Sequence, residues 1–305
     1  MKKFILYVIV FFAAIVFVDF VYGRTVNYMT INAKSGAAKR TIDLCKSSCS
    51  DMLIMGSSKA HHNYNPQVFV DSLGVTCYNA GYDGNGIILA YGILSLMDDE
   101  LLPKVIVYDV KQQFDIYQYL GDGANTRYYQ NLKPFYGNPS VDEIIRNISR
   151  VDVYKLHSSL YRTNGDLMNI VKGYFIRSSE DKDMGYKPMV GLINDVSEQE
   201  KDYSNEIDSM KLDYFKRFVA LTKEKEIILI VVFSPEYNTP FSDDLNPIRE
   251  ICLKENITLL DYFNEPSFLK KEFFKDHCHM NEYGAVAYSA AIASDIKKII
   301  SEKNK

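Results

Sequence analysis

The residues able to do chemistry lie at opposite ends of the chain. Ser58 closes Gly56-Ser57-Ser58, directly after the apolar run 52–55, and near the C-terminus the sequence reads Asp276-His277-Cys278-His279-Met280-Asn281. A hydroxyl at a strand-to-helix turn, an imidazole and a carboxylate are the parts of a nucleophile, a base and an orienting group. Asp276 and His279 stand three residues apart, so one short loop can hold the carboxylate on one ring nitrogen and aim the other at Ser58. The chemistry this predicts is acyl transfer from an ester. His277 has the wrong spacing and reads as an exposed neighbour, and Cys278 beside His279 leaves no separate geometry for attack. His61 and His62 are expected at the cleft mouth, with His61 and Asn85 as substrate contacts, and Lys59 as a structural or electrostatic neighbour.

For these groups to meet, the elements between them must bring both ends to one edge. Short runs rich in Val, Ile and Leu at 51–55, 76–79, 105–110, 227–233 and 258–262 read as strands, and their lack of alternation suits a parallel sheet buried on both faces. Helical patterns fall between and after them at 66–73, 86–97, 203–224, 247–255 and 282–301, with Asn281 as the N-cap of the last. The alternation predicts a doubly wound α/β/α domain over 51–305, whose functional groups collect at the C-terminal ends of the strands. Both segments fall there. A glycine-rich turn, 79–86, follows the second strand, and its backbone N–H groups join that of Ser58 as candidate oxyanion donors. Residues 116–204, dense in Tyr and Asn, break the rhythm and read as an inserted, partly helical subregion at 141–156 and 161–175.

This set resembles the SGNH/GDSL hydrolase superfamily, in particular its membrane-anchored, exported members whose first block reads Gly-Ser-Ser. The resemblance runs in order over about residues 51–300, although few positions carry it. It implies a flavodoxin-like three-layer α/β/α sandwich with a five-stranded parallel sheet, Ser58 as nucleophile, Ser57 in the place of the usual Asp, Gly81 as the second-block oxyanion donor, and Asp276 and His279 as the last block. One departure stands out. The family's third block supplies an Asn side chain to the oxyanion hole, whereas here that place reads Val107 to Asp115 without Gly or Asn, leaving Gln112 or Gln113 as the amide donor, or two backbone donors alone. The resemblance further implies acetyl or related esters on surface polysaccharide as the substrate class.

The remaining sequence sets the surroundings. Residues 4–18 are uninterrupted apolar behind Lys2-Lys3, and extended to Tyr22 the run approaches the length of a bilayer span. Residues 1–23 are expected to be a transmembrane anchor, or a signal peptide cut near Gly23; either way everything beyond is exported. Residues 24–50 read as a polar, irregular tether. The 305 residues carry a formal net charge of −4; residues 1–23 contribute +1, so the remainder holds −5, and without a basic stripe nucleic acid is excluded as partner. Cys45 and Cys49 suit either a disulfide across a turn or two thiols on one helix face, and Cys77 and Cys252 read as buried apolar groups. No metal-ligand pattern is present and no cofactor is called for. The expected partners are an acylated carbohydrate or other ester, the membrane, and, for the alternative of an O-acyltransferase, a membrane protein that delivers the acyl group. A catalytically silent surface scaffold is the third reading.

Overall fold

The continuous apolar runs form the sheet that their composition requires. In the structure, a computed structural model describing residues 1–47, 50–120, 126–177, 183–194, 197–198, 200–201 and 203–303, the chain divides into two compact units. One comprises Leu44–Tyr128 and Ser179–Lys305, the other Met1–Asp43 and Tyr129–Ser178.

In the chain's element order, the long helix α1 (Lys2–Ile31) and α2 (Ala37–Lys46) precede strand β1 (Met52–Gly56), α3 (Ser58–Asn63), α4 (Pro66–Leu73), β2 (Cys77–Gly81), α5 (Ile87–Leu96), β3 (Val105–Asp109), α6 (Gln112–Asp115) and β4 (Tyr117–Tyr119). Short helices follow, α7 (Arg127–Gln130), α8 (Pro139–Ile148), α9 (Asp152–Lys155), α10 (Ser159–Arg162) and α11 (Leu167–Phe175). The chain ends with β5 (Tyr203–Ile207), α12 (Ser209–Glu224), β6 (Ile228–Phe233), α13 (Asn246–Glu255), β7 (Thr258–Asp261) and α14 (Glu282–Lys303).

In the sheet unit five parallel strands run in the order β2-β1-β3-β6-β7. β1 and β3 are buried at every residue, as strands covered on both faces must be. Their side chains divide between two cores. Met52, Ile54, Val105, Val107, Ile230 and Val232 face Tyr64, Phe69, Tyr288, Ile292 and Ile296 from α4, α14 and their surroundings; Tyr108 points the other way, against Phe215 and Phe218 of α12. The architecture is therefore a three-layer α/β/α sandwich. The register sets Gly56, Gly81 and Asp109 level with one another, so the loops after β1, β2 and β3 leave the sheet at one height.

Three expectations are revised. Residues 203–224 are not one helix: β5 pairs antiparallel with β4, and α12 begins only after Asp208, whose carboxylate accepts the N–H groups of Met210 and Lys211. The described residues of 24–50 are largely helical rather than irregular. Neither Pro nor Gly occurs between Arg24 and Ser35, so α1 runs on to Ile31, and α2 starts after Gly36 at φ +112°. The middle of the inserted region, residues 129–178, groups with 1–43, while its ends stay with the sheet. Cys49 lies outside the described residues, and the Cys45–Cys49 pairing with it; Cys77 and Cys252 are buried free thiols, as composition predicts.

Within the other unit, α1 is long and apolar enough to cross a membrane, and its apolar stretch is not buried inside the protein. Asp19 interrupts the apolar face for a reason. Its carboxylate accepts hydrogen bonds from Ser158 Oγ (2.9 Å), Ser159 N–H (2.8 Å) and Leu160 N–H (2.8 Å), capping α10 from another helix.

Candidate active site

The turn after β1 depends on Gly56. Its φ of +138° disfavours any side chain, and a Cβ there would lie 2.4 Å from the Asp109 carbonyl oxygen. Ser57 follows as the N-cap of α3, its hydroxyl accepting the Lys59 N–H, which leaves Ser58 at the first helical position. At the far end, Asp276 folds its own loop. Its Oδ1 accepts the N–H groups of Cys278 (3.0 Å) and His279 (2.8 Å), while Oδ2 accepts from His279 Nδ1 at 2.8 Å. The three-residue spacing is thus a local turn in which one carboxylate shapes the backbone and holds the ring. A carboxylate only accepts, so Nδ1 carries a proton, and in the neutral ring Nε2 accepts from Ser58 Oγ, 2.7 Å away.

Asn63 joins the two ends. Its amide Nδ2 donates to the Cys278 carbonyl (3.1 Å) and its Oδ1 accepts the Met280 N–H (2.8 Å), clamping the His279 loop to the helix that Ser58 opens. Sequence reasoning passed over Asn63, because no motif marks a clamp. The ring of His62 packs edge-on against His279 with centroids 5.1 Å apart. The His279 side chain keeps 18% of its surface exposed, so the constellation is open to a ligand.

Electrostatics follow from these neighbours. Burial opposes charge on His279, but the Cys278 sulfur, 3.6 Å from Nδ1, and the Asp276 carboxylate outweigh it and raise the ring to about 10. Burial likewise opposes charge on Asp276, and the hydrogen bonds from His279 and the loop N–H groups override it, holding the carboxyl well below its usual range. A base must be neutral to accept a proton, so ester hydrolysis through His279 is expected to rise with pH beyond the ordinary imidazole range. Cys278→Ala is expected to move that acid limb down, measured as kcat/KM for p-nitrophenyl acetate between neutral and strongly alkaline pH. An unmoved limb would remove the sulfur from this role.

The other predicted residues are distributed as follows. Gly81 is packed under α3, where a Cβ would meet the His61 backbone nitrogen at 2.5 Å. Its N–H donates to Asn79 Oδ1 (3.0 Å), because the buried Asn79 amide is fixed by the Ala60 and Tyr64 carbonyls and presents its oxygen there. In this structure the Gly81 N–H is thus engaged within its own turn, at a position with no room for a Cβ. Gln112 opens α6 after β3 and is buried, with neither amide atom hydrogen-bonded among the described residues. His61 and His62 are buried rather than lining an open mouth: His61 Nδ1 lies 2.8 Å and His62 Nε2 3.2 Å from Asp83 Oδ1, while His62 Nδ1 donates to the Lys187 carbonyl (2.7 Å). Those two rings hold the Asp83 carboxyl far below its usual range against the effect of burial. Asn85 is also buried, donating to the Asp83 carbonyl, with its Oδ1 unpartnered among the described residues. His61, His62 and Asp83 have ligand atoms within 4.8 Å of one another, as do Asp276, Cys278 and His279, so either group could hold a metal ion by geometry. In both, the contacts are also hydrogen bonds that account for the arrangement.

Beneath Ser58 lies a charged cluster that the sequence did not announce. Lys59 and Glu236, each with 1% of its side chain exposed, pair at 2.9 Å; Lys111 reaches the same Glu236 oxygen at 3.0 Å, and Lys59 also donates to the Ser234 carbonyl. Ser234 Oγ in turn donates to the buried Asp109 at 2.7 Å.

Ser58, His279 and Asp276 therefore form a Ser–His–Asp chain of hydrogen bonds at the C-terminal edge of a doubly wound parallel α/β sheet. No protein-family model matches the chain, and no curated protein matches it. Among solved structures it is similar to one described as a lipolytic protein of the G-D-S-L family from Desulfitobacterium hafniense DCB-2, at 9% identity over 80% of this chain and 98% of that one, with a TM-score of 0.38. It is also similar to one described as an acylhydrolase from Bacteroides fragilis NCTC 9343, at 13% identity over 88% of this chain and 95% of that one, with a TM-score of 0.42.

Proposed function

We propose that the chain is a membrane-anchored, exported serine esterase that cleaves acyl esters, acetyl esters of a surface polysaccharide being the substrate class its motif resemblance implies. The observation carrying this reading is the continuous path from Ser58 Oγ through His279 to Asp276, at 2.7 and 2.8 Å. Ser58 Oγ attacks the ester carbonyl as its proton passes to His279 Nε2. Asp276 holds the ring and stabilises the imidazolium. The oxyanion rests on the Ser58 N–H and the uncommitted Gln112 amide, which takes the place of the family's Asn. His279 then protonates the departing alcohol, and water, activated by the same ring, releases the acid. The test is p-nitrophenyl acetate turnover by the full chain against Ser58→Ala and His279→Ala.

Transfer to a sugar hydroxyl instead of water is favoured by the anchor, which would keep the chain at a membrane beside an acyl-delivering partner. Acyl transfer to an added acceptor glycan, above the rate of hydrolysis, separates the two.

The anchor reading has its own support. Asp19, Tyr22 and Gly23 all engage α10 and its neighbours: Tyr22 shares a hydrogen bond with Thr163 Oγ1 at 2.8 Å, and Gly23 lies so close to Ser159 that no Cβ fits. A leader removed near Gly23 would take the α10 cap with it. The full-length mass is therefore expected in the membrane fraction; a mature N-terminus near residue 23 would reject retention.

A further inference from the structure

We propose that the helical unit holds a binding site for a sugar ring, a site separate from the Ser58 centre and independent of the esterase reading. A cavity of ≈ 360 Å³ opens between the distal turns of α1, the start of α2, and the segments around residues 130–136 and 159–170. That volume is in the range of small-ligand pockets.

The lining chemistry selects the ligand. Asn27, Asn131 and Asn169 come from three different segments and face this cavity, and none of their amides makes a side-chain hydrogen bond among the described residues. Each amide both donates and accepts, which matches hydroxyl groups that do the same. The charged groups present already have protein partners. Lys133 lies 3.5 Å from Asp166, and Arg162 donates to the Leu156 carbonyl and to Ser159 Oγ. An anion would have to displace those contacts, whereas a neutral polyol would not. Val26 and Ile170 add an apolar wall suited to the C–H face of a pyranose, and three free amides in the wall are wasted on an acyl chain.

The depth of the cavity bears on the ligand's source. The apolar stretch 4–22 rises about 28 Å as helix, close to the hydrocarbon thickness of a bilayer, and the α1 residues lining the cavity begin at Gly23. The cavity thus falls at headgroup level, within reach of the sugar of a glycolipid as well as a soluble glycan.

The experiment uses the full chain in phosphatidylcholine nanodiscs. In one arm, saturation-transfer NMR is recorded with methyl glycosides of glucose, galactose, mannose and N-acetylglucosamine; in the other, nanodiscs carry monoglucosyl diacylglycerol. Saturation of sugar protons in either arm is expected, and affinity at least tenfold weaker in Asn131→Leu/Asn169→Leu, with the melting temperature and p-nitrophenyl acetate turnover unchanged. A positive soluble arm assigns a free saccharide, and a signal from the lipid arm alone assigns a glycolipid. No transfer in either arm, or equal transfer to the variant, overturns the proposal. Turnover measured on the same samples keeps that outcome apart from the fate of the esterase reading.

Discussion

Ser58→Ala is expected to lower p-nitrophenyl acetate turnover by about 10⁴-fold or more, His279→Ala by a similar factor, and the double variant by no more than either alone. The non-additivity is the diagnostic part. Oγ and Nε2 share one proton at 2.7 Å, so removing either member abolishes the same step. What survives would come from binding and from the oxyanion donors, which neither change touches. Asp276→Asn is a sharper probe of the carboxylate. An amide in place of Oδ2 favours the wrong tautomer of His279, turning a proton toward Ser58, and that defect alone has been worth about 10⁴-fold in a serine protease triad. Because Asp276 also accepts two loop N–H groups through Oδ1, which asparagine preserves, the loop is expected to keep its shape. Wild-type turnover in Ser58→Ala would end the nucleophile assignment.

How much of this could be read beforehand depended on whether the signal was local. The strands were legible because burial on both faces imposes unbroken apolar runs, and Met52–Met55 or Ile228–Phe233 fit no surface element. The Asp276–His279 turn was legible because both partners are within one loop. β5 was not: within Tyr203–Ile207 the last three residues are all exposed, with no alternation to mark a strand, and its strand character comes from β4, a distant partner that nothing in the local pattern names. Gly81 shows the converse limit. A glycine beside a serine turn fits an oxyanion donor or a close-packing position equally well in sequence, and the Asn79 amide that meets it, fixed by two carbonyls from α3 and its end, is not visible there. His61 and His62 look like cleft residues by type, yet α3 turns them inward onto Asp83.

The buried cluster is the least legible part, since Lys59, Lys111 and Glu236 each look like ordinary surface charges until the sheet places them together. It also supports the second large expected effect. Glu236→Ala would remove the carboxylate that the buried Lys59 and Lys111 ammonium groups share, and breaking a buried pair costs about 3–5 kcal/mol, against a total stability of about 5–15 kcal/mol. The melting temperature is expected to fall by several degrees, and turnover with it, because Lys59 is the residue after Ser58 and its ammonium ties that turn to the loop after β6. Burial works against the Glu236 charge, but Lys111 and Lys59 prevail and bring the carboxyl down to about 2. A depressed folded value stabilises above the carboxylate's unfolded range and is lost as pH falls through about 2, so the gap between wild type and variant should hold from neutral pH to about 4 and narrow below that. Lys59→Met/Lys111→Met/Glu236→Leu removes the charges together and is expected to recover most of the melting temperature, since apolar groups of similar volume replace buried ion pairs at little cost. If Glu236→Ala melts with the wild type, the cluster does not hold the turn, and the position of Ser58 must be set by Gly56 and Asn63 alone.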